Sequence, residues 1–158
     1  ERSRCVARAR QMIVIKELQK LLASDVGDGV DGAMLLNARG DILAAAGYDG
    51  CAPEVISAIT AAVWPQFASA APANEGLGDL HTMVFDMERG QLAFAGLFDA
   101  THFVCLFSQK RSAPGWLLGR LRALTACLAV ALADSLLPQP SRGAQEGDEN
   151  GHDDDARS

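Results

Sequence analysis

Apolar residues at Val6, Ile13, Val14, Leu18, Leu21 and Leu22 recur at near-helical spacing until Gly27-Asp28-Gly29-Val30-Asp31-Gly32 breaks the pattern. This predicts an amphipathic helix over about 4–23. Two short apolar runs follow, 33–37 and 42–47, and read as strands. Asn37, Ala38, Arg39 and Gly40 between them suit a type I turn followed by a left-handed residue, which glycine adopts without a Cβ clash. Pro53 fits the first turn of a second helix, where its missing N–H would have no partner. Val55, Ile59, Ala62, Val63 and Phe67 mark one face of that helix, with Ile56 beside it. Pro65 predicts a kink or an early end near Trp64, because an interior proline removes a hydrogen bond and clashes with the preceding turn.

Residues 68–78, rich in Ala, Pro, Gly and Asn, read as a surface loop. Three strands are expected next, 81–87, 91–98 and 102–108, with turns at Glu88-Arg89-Gly90 and Asp99-Ala100-Thr101, an antiparallel meander. Ser112 is a candidate N-cap and Pro114 again lies in a first turn. Leu117, Leu121, Leu124, Leu128 and Leu132 then step by three or four along a third helix ending near Leu137, before Pro138 and Pro140. The order α-β-β-α-β-β-β-α predicts an α+β domain, with one five-stranded antiparallel sheet and helices on both faces. Its expected divisions are a basic helix over 1–26, a core over 27–137 and a disordered acidic tail over 138–158, whose apolar content is too low to offset the entropy of ordering.

At 158 residues and 49% hydrophobic, the chain is long enough to bury a core without staples. Its net charge of −6 is uneven. Residues 1–20 carry six basic residues against two acidic, a net +4, and residues 139–158 carry six acidic against two basic, a net −4. An acidic body disfavours phosphate backbones, so nucleic acid is not an expected partner. The four cysteines, Cys5, Cys51, Cys105 and Cys127, are widely spaced, and two lie in apolar runs, as expected of a reducing compartment. The stretch 123–133 is short of the roughly 20 residues needed to span a bilayer, so a soluble protein is expected.

Several candidate sites fail on context. Residues 27–32 spell the dinucleotide pattern G-x-G-x-x-G, but a nucleotide site needs a strand before the glycines and a helix after, and here the order is reversed. A flexible linker is expected instead. Asp25, Asp28 and Asp31 lack the every-second-residue spacing of a calcium loop, and the twelfth position from Asp25 or Asp31 is Leu36 or Ile42. His81, His102 and His152 are not at metal spacing to a cysteine or to each other. No Ser or Cys sits in a G-x-S-x-G setting. Cys5, among Arg2, Arg4 and Arg8, is a candidate for lipidation or an ordinary helix residue. No catalytic residue, cofactor or metal is assigned.

Two features go beyond simple folding. The strand at 81–87 would lie at a sheet edge, and its centre, Thr82-Met83-Val84-Phe85, has no charge to block edge pairing. The helix before it carries apolar or small side chains around more than half its circumference. Either that helix is simply buried, or a dimer packs helix on helix and edge on edge. The dimer reading places Val55, Ala58, Ile59, Ala62, Trp64, Thr82, Met83, Val84 and Phe85 in the interface.

The words L-L-N-x-x-G-x-I-L-A-x-x-G-Y over 35–48, then V-x-x-A-I-x-x-x-x-W-x-x-F over 55–67, resemble the roadblock/dynein-light-chain family, in the form of the small roadblock subunit of the late endosomal/lysosomal Ragulator adaptor. The resemblance covers about 30–137. It implies a roadblock (profilin-like) fold with the second helix on one sheet face and the terminal helices on the other. It also implies a non-catalytic adaptor that forms a heterodimer with a second roadblock protein on the cytoplasmic face of late endosomes or lysosomes. The larger scaffold subunit, MAP-kinase components and Rag-type GTPases would be further partners, with membrane contact indirect. Homodimeric regulators of a small GTPase and dynein-associated light chains are the alternatives within the resemblance. A small-molecule sensor of related shape would need inward polar groups, which the apolar segments scarcely supply.

Overall fold

The computed structural model describes residues 2–48, 50, 52–70, 76, 78–110 and 113–136. Eight elements follow in the expected order: α1 (Arg2–Asp25), β1 (Gly32–Asn37), β2 (Ile42–Gly47), α2 (Pro53–Ala70), β3 (Thr82–Met87), β4 (Gly90–Leu97), β5 (His102–Ser108) and α3 (Pro114–Leu136). The strands form one sheet in the order β2-β1-β5-β4-β3, with every neighbouring pair antiparallel. The residues expected to form the acidic tail, the candidate cap Ser112, Cys51, the side chain of Cys5 and much of the loop after α2 lie outside the described residues.

Strand alternation divides the apolar side chains between two cores. Ala33, Leu35, Ala93, Ala95, Val104 and Leu106 face α1 and α3, which supply Leu18, Leu22 and the leucine stripe from Leu117 to Leu132. Met34, Leu36, Leu92, Phe94, Phe103 and Cys105 face α2, which supplies Ile56 and Trp64. The helices therefore lie on the faces the resemblance implies. By length and composition, Gly115–Ala133 is apolar enough to cross a membrane. Its leucines are buried against the sheet, as in a core helix.

The first hairpin closes as its residues dictate. The Asn37 side-chain oxygen accepts from the backbone N–H groups of Arg39 and Asp41, both at 2.9 Å, and Gly40 takes φ +88°. At the open end, Gly47 (φ +79°) turns the chain so that the Tyr48 ring lies flat over Gly32, where any Cβ would meet the ring at 2.9 Å. That close approach explains the Gly-Tyr pair.

Three expectations need correction. First, α2 passes through Pro65 to Ala70. Only one backbone bond is lost, Pro65 is exposed, and burial of Trp64 and packing of Ala68 hold the following turn in place. Second, residues 27–32 are an ordered turn. Gly27 and Val30 exchange backbone hydrogen bonds of 2.8 and 2.9 Å around Asp28 (φ +50°) and Gly29 (φ +96°), the geometry of a type I′ turn. Third, Phe98 belongs to the turn after β4, because Phe98, Asp99 and Ala100 are all left-handed and the Phe98 carbonyl accepts from the Thr101 N–H at 3.2 Å.

The described cysteines differ. Cys127 is exposed, because it lies off the buried leucine row of α3. Cys105 is fully buried beneath α2, 3.5 Å from the Thr60 hydroxyl, and desolvation pushes its thiol up to about 12 against a partial lowering by that hydrogen bond. A raised folded-state value gives stability that is complete below the unfolded thiol's pKa of 9.0 and lost as pH climbs toward 12. Over that window the thiol's contribution is expected to fall by about 1.4 kcal/mol per pH unit. Denaturant titrations of wild type and Cys105→Ala will show it as a shallower alkaline slope in the variant. Equal slopes would refute it.

Candidate dimerisation surface

The site is built from β3 and α2. β3 closes the sheet at one edge, paired on one side with β4 in the register Thr82↔Ala95 to Met87↔Gly90. The backbone N–H of Gly96 donates to the His81 carbonyl at 3.3 Å, which makes His81 and Gly96 a directly bonded pair. Bonded pairs recur every second residue in an antiparallel ladder. Met83 and Phe85 therefore turn their backbone groups toward β4, while those of Thr82 and Val84 point out beyond the edge. Side chains alternate in the other dimension. Met83 and Phe85 pack into the core beneath α2, with Phe85 stacked on Phe94 at 5.4 Å, and Val84 stays 37% exposed.

On α2 the outward row is Val55, Ala58, Ala62, Pro65, Gln66 and Ser69, all exposed and none charged. Glu54 is the one charged residue in the eighteen of the helix, and it lies in the first turn, where the helix dipole favours a carboxylate. A solvated helix face normally carries several charges. Val55 is 54% exposed, so an apolar row is held open to water.

Of the expected residues, Val55, Ala58 and Ala62 are exposed on α2 and Ile59 is half-buried there, while Met83 is half-buried beneath α2 and the side chains of Thr82 and Val84 stand on the opposite sheet face, the α3 side, so that only their backbone groups serve the edge. Phe85 is largely committed to the core. Trp64 is a correction. It is 3% exposed, with its ring 5.9 Å from Phe94 and 5.1 Å from Phe103, so it supports the surface from beneath and does not form it. Phe67, left out of the expected set, is 55% exposed on the inward row of the last turns, where the sheet no longer covers the helix.

With this geometry in place, the comparisons with known proteins are decisive for the family. The model of the Roadblock/LC7 domain matches residues 14–107, more than half of the chain. The chain belongs to the Roadblock/LC7 family. The match starts where α1 meets the core and ends within β5, so the first turns of α1 and all of α3 lie beyond it.

Solved roadblock structures share the fold. MglB of Myxococcus xanthus is similar at 12% identity over 79% of this chain and 93% of that one, with a TM-score of 0.67. A Roadblock/LC7 domain from Streptomyces avermitilis is similar at 16% identity over 72% and 96%, TM-score 0.62. An MglB with a tetrameric arrangement is similar at 16% identity over 82% of this chain and 91% of that one, with a TM-score of 0.58. At such identities the likeness establishes the roadblock fold alone. No curated protein sequence matches the chain significantly.

Proposed function

We propose that this roadblock chain is a non-catalytic subunit that dimerises through α2 and β3 and, as the dimer, binds a Ras-like small GTPase. The observation that carries the proposal is an uncharged outward row on α2 beside a sheet edge whose Thr82 and Val84 backbone groups point away from β4. Pairing two such edges continues the sheet across the dimer axis and sets the two α2 rows side by side, covering both from water. The tetrameric arrangement of an MglB of this fold supports self-association. The small GTPase comes from the family: Ragulator-type scaffolds and homodimeric roadblock regulators share it as a partner.

Ala58→Glu places a charge at the middle of the α2 row. Because Ala58 is exposed, the fold is expected to change by less than about 0.5 kcal/mol. The mass by light scattering is expected to fall from dimer to monomer. Wild type added to a GTP-loaded Ras-like GTPase is expected to change hydrolysis or nucleotide exchange several-fold, and Ala58→Glu to lose that effect. Unchanged rates with no complex formed would rule out the GTPase partner. The late endosomal or lysosomal address belongs to the Ragulator version of this proposal. Recovery of a second roadblock protein with lysosomal GTPases, on affinity purification of the chain, would support that version.

A further inference from the structure

The layer of α1 and α3 does not cover the whole sheet. α3 lays its leucine row over β4 and β5, and the β3 side chains on that face stay open beside it, Thr82 half-buried and Val84 exposed. Where the flank of α3 passes β3 the side chains are small: Ala126 and Ala129 on the helix, and Ala95 on β4 with the Gly96 backbone next to it. They leave a trough of about 430 Å³, within the roughly 300–1,000 Å³ of small-ligand sites. From Arg122 to Ala129 it follows α3 for about 10 Å.

The polar groups of the trough are of one kind. The Arg122 guanidinium, the His81 ring and the Thr82 hydroxyl line it, and none of these side chains has a hydrogen-bond or ion-pair partner among the described residues. Thr125 already donates to the Leu121 carbonyl at 2.7 Å, so its hydroxyl adds no donor. Among the described residues no carboxylate lines the trough, in a chain whose net charge is −6. Arg120, two residues earlier and turned toward α1, is instead bonded to Asp25 at 3.2 Å and is held within the fold. Donors set in an apolar wall fit a ligand with an anionic head and an apolar body. A guanidinium presents paired N–H groups that match the two oxygens of a carboxylate. One guanidinium balances one negative charge, which suits a monocarboxylate better than a phosphate monoester carrying close to two.

We propose that the trough between α3 and β3 binds a monocarboxylate with an alkyl chain of medium length, its head held by Arg122, His81 and Thr82 and its chain laid against Ala95, Ala126 and Ala129. The site lies on the α3 side of the sheet. It uses no side chain of the α2 row and no backbone group of the β3 edge, so it stands or falls apart from the GTPase reading.

The probe is sodium decanoate, titrated into the full chain below the concentration at which it forms micelles. Backbone amide signals of Thr82, Gly96, Thr125 and Ala126 are expected to move and to saturate. Calorimetry is expected to show affinity rising about two- to fourfold per added methylene from hexanoate to decanoate, the worth of partly to fully burying each one. Arg122→Gln, at an exposed position, should keep the melting midpoint and weaken decanoate at least about tenfold, the size of a hydrogen bond to a charged group. Ala126→Leu, also at an exposed position, should keep the fold and lose binding, because the larger side chain fills the trough. Decylamine, the same chain with a cationic head, should leave the four amides in place. No saturable shift at these amides, shifts that decylamine reproduces, or decanoate binding undiminished in either variant would overturn the site. Tighter binding of decyl phosphate than of decanoate would overturn the carboxylate.

Discussion

Met83→Pro is expected to unfold the protein, whereas Val84→Pro, one residue along, is expected to leave it folded and monomeric. The difference lies in the direction of one N–H group. The Met83 N–H belongs to the ladder with β4, because His81 and Gly96 are bonded and the alternation puts Met83 opposite Phe94 in the next bonded pair. Proline there deletes an internal hydrogen bond, inserts a ring between paired strands and removes a half-buried side chain from the core beneath α2. A loss of about 3 kcal/mol or more, the size proline costs within a helix, is a large share of the 5–15 kcal/mol that holds a domain together. The Val84 N–H points outward, and a proline there leaves every bond to β4 in place. Its ring restricts Met83 to extended backbone, which Met83 already has. Light scattering and circular dichroism on both variants will read mass and folding. A folded Val84→Pro that still dimerises fully would contradict the β3 seam.

That asymmetry shows where sequence reading ends. The elements were legible because periodicities of 3.6 and 2 are written in single side chains, such as the leucine row from Leu117 to Leu132 and the alternation through β4 and β5. The edge position of β3 followed from topology. The direction of the Val84 N–H did not, because it depends on which residues close the β3–β4 hairpin. The pairing of Met87 with Gly90 across Glu88-Arg89 fixes it. Pro65 misled because a local rule was set against a tertiary one. The helix loses one hydrogen bond there, and the buried Trp64 ring next to it outweighs that loss.

Trp64 and Phe67 were misplaced for a related reason. Both are large and apolar, and chemistry alone suits either to an interface. Trp64 lies two turns on from Ile56, on the row that faces the sheet. Phe67 continues the row of buried Thr60, but where the helix outruns its cover. The Asp28-Gly29 pair did carry a type I′ signal in the sequence, obscured by its likeness to a phosphate-binding pattern.

The second large effect concerns that tryptophan. Trp64→Ala is expected to cost about 3–5 kcal/mol, by losing transfer energy and leaving a cavity bounded by Phe94 and Phe103. For a chain of this length each kcal/mol moves the melting midpoint by about 2–4 °C, so a fall of the order of 10 °C is expected. Gly96 makes the site sensitive in the opposite sense too: a Cβ there would stand 3.1 Å from the indole ring. Because Trp64 anchors α2 from beneath, the variant should lose dimer mass along with stability, in contrast to Ala58→Glu, which should lose mass alone. Thermal melting followed by circular dichroism, with mass measured below the transition, separates the two. A Trp64→Ala protein as stable as wild type would mean that the indole is not packed between the two phenylalanines.

Residue-resolved hydrogen exchange of the β3 amides, on wild-type protein, tests the dimer most directly. Ladder amides such as Met83 and Phe85 are protected in monomer and dimer alike, so they serve as the internal reference. Among the described residues Thr82 and Val84 have no ladder partner, and they gain one when a second edge pairs with β3. The account predicts that both exchange slowly at concentrations where the protein is dimeric and speed up on dilution, while Met83 and Phe85 stay slow. If Thr82 and Val84 exchange at unprotected rates at every concentration, beside a protected Met83 and Phe85, the β3 edge is free and the proposed dimer is wrong.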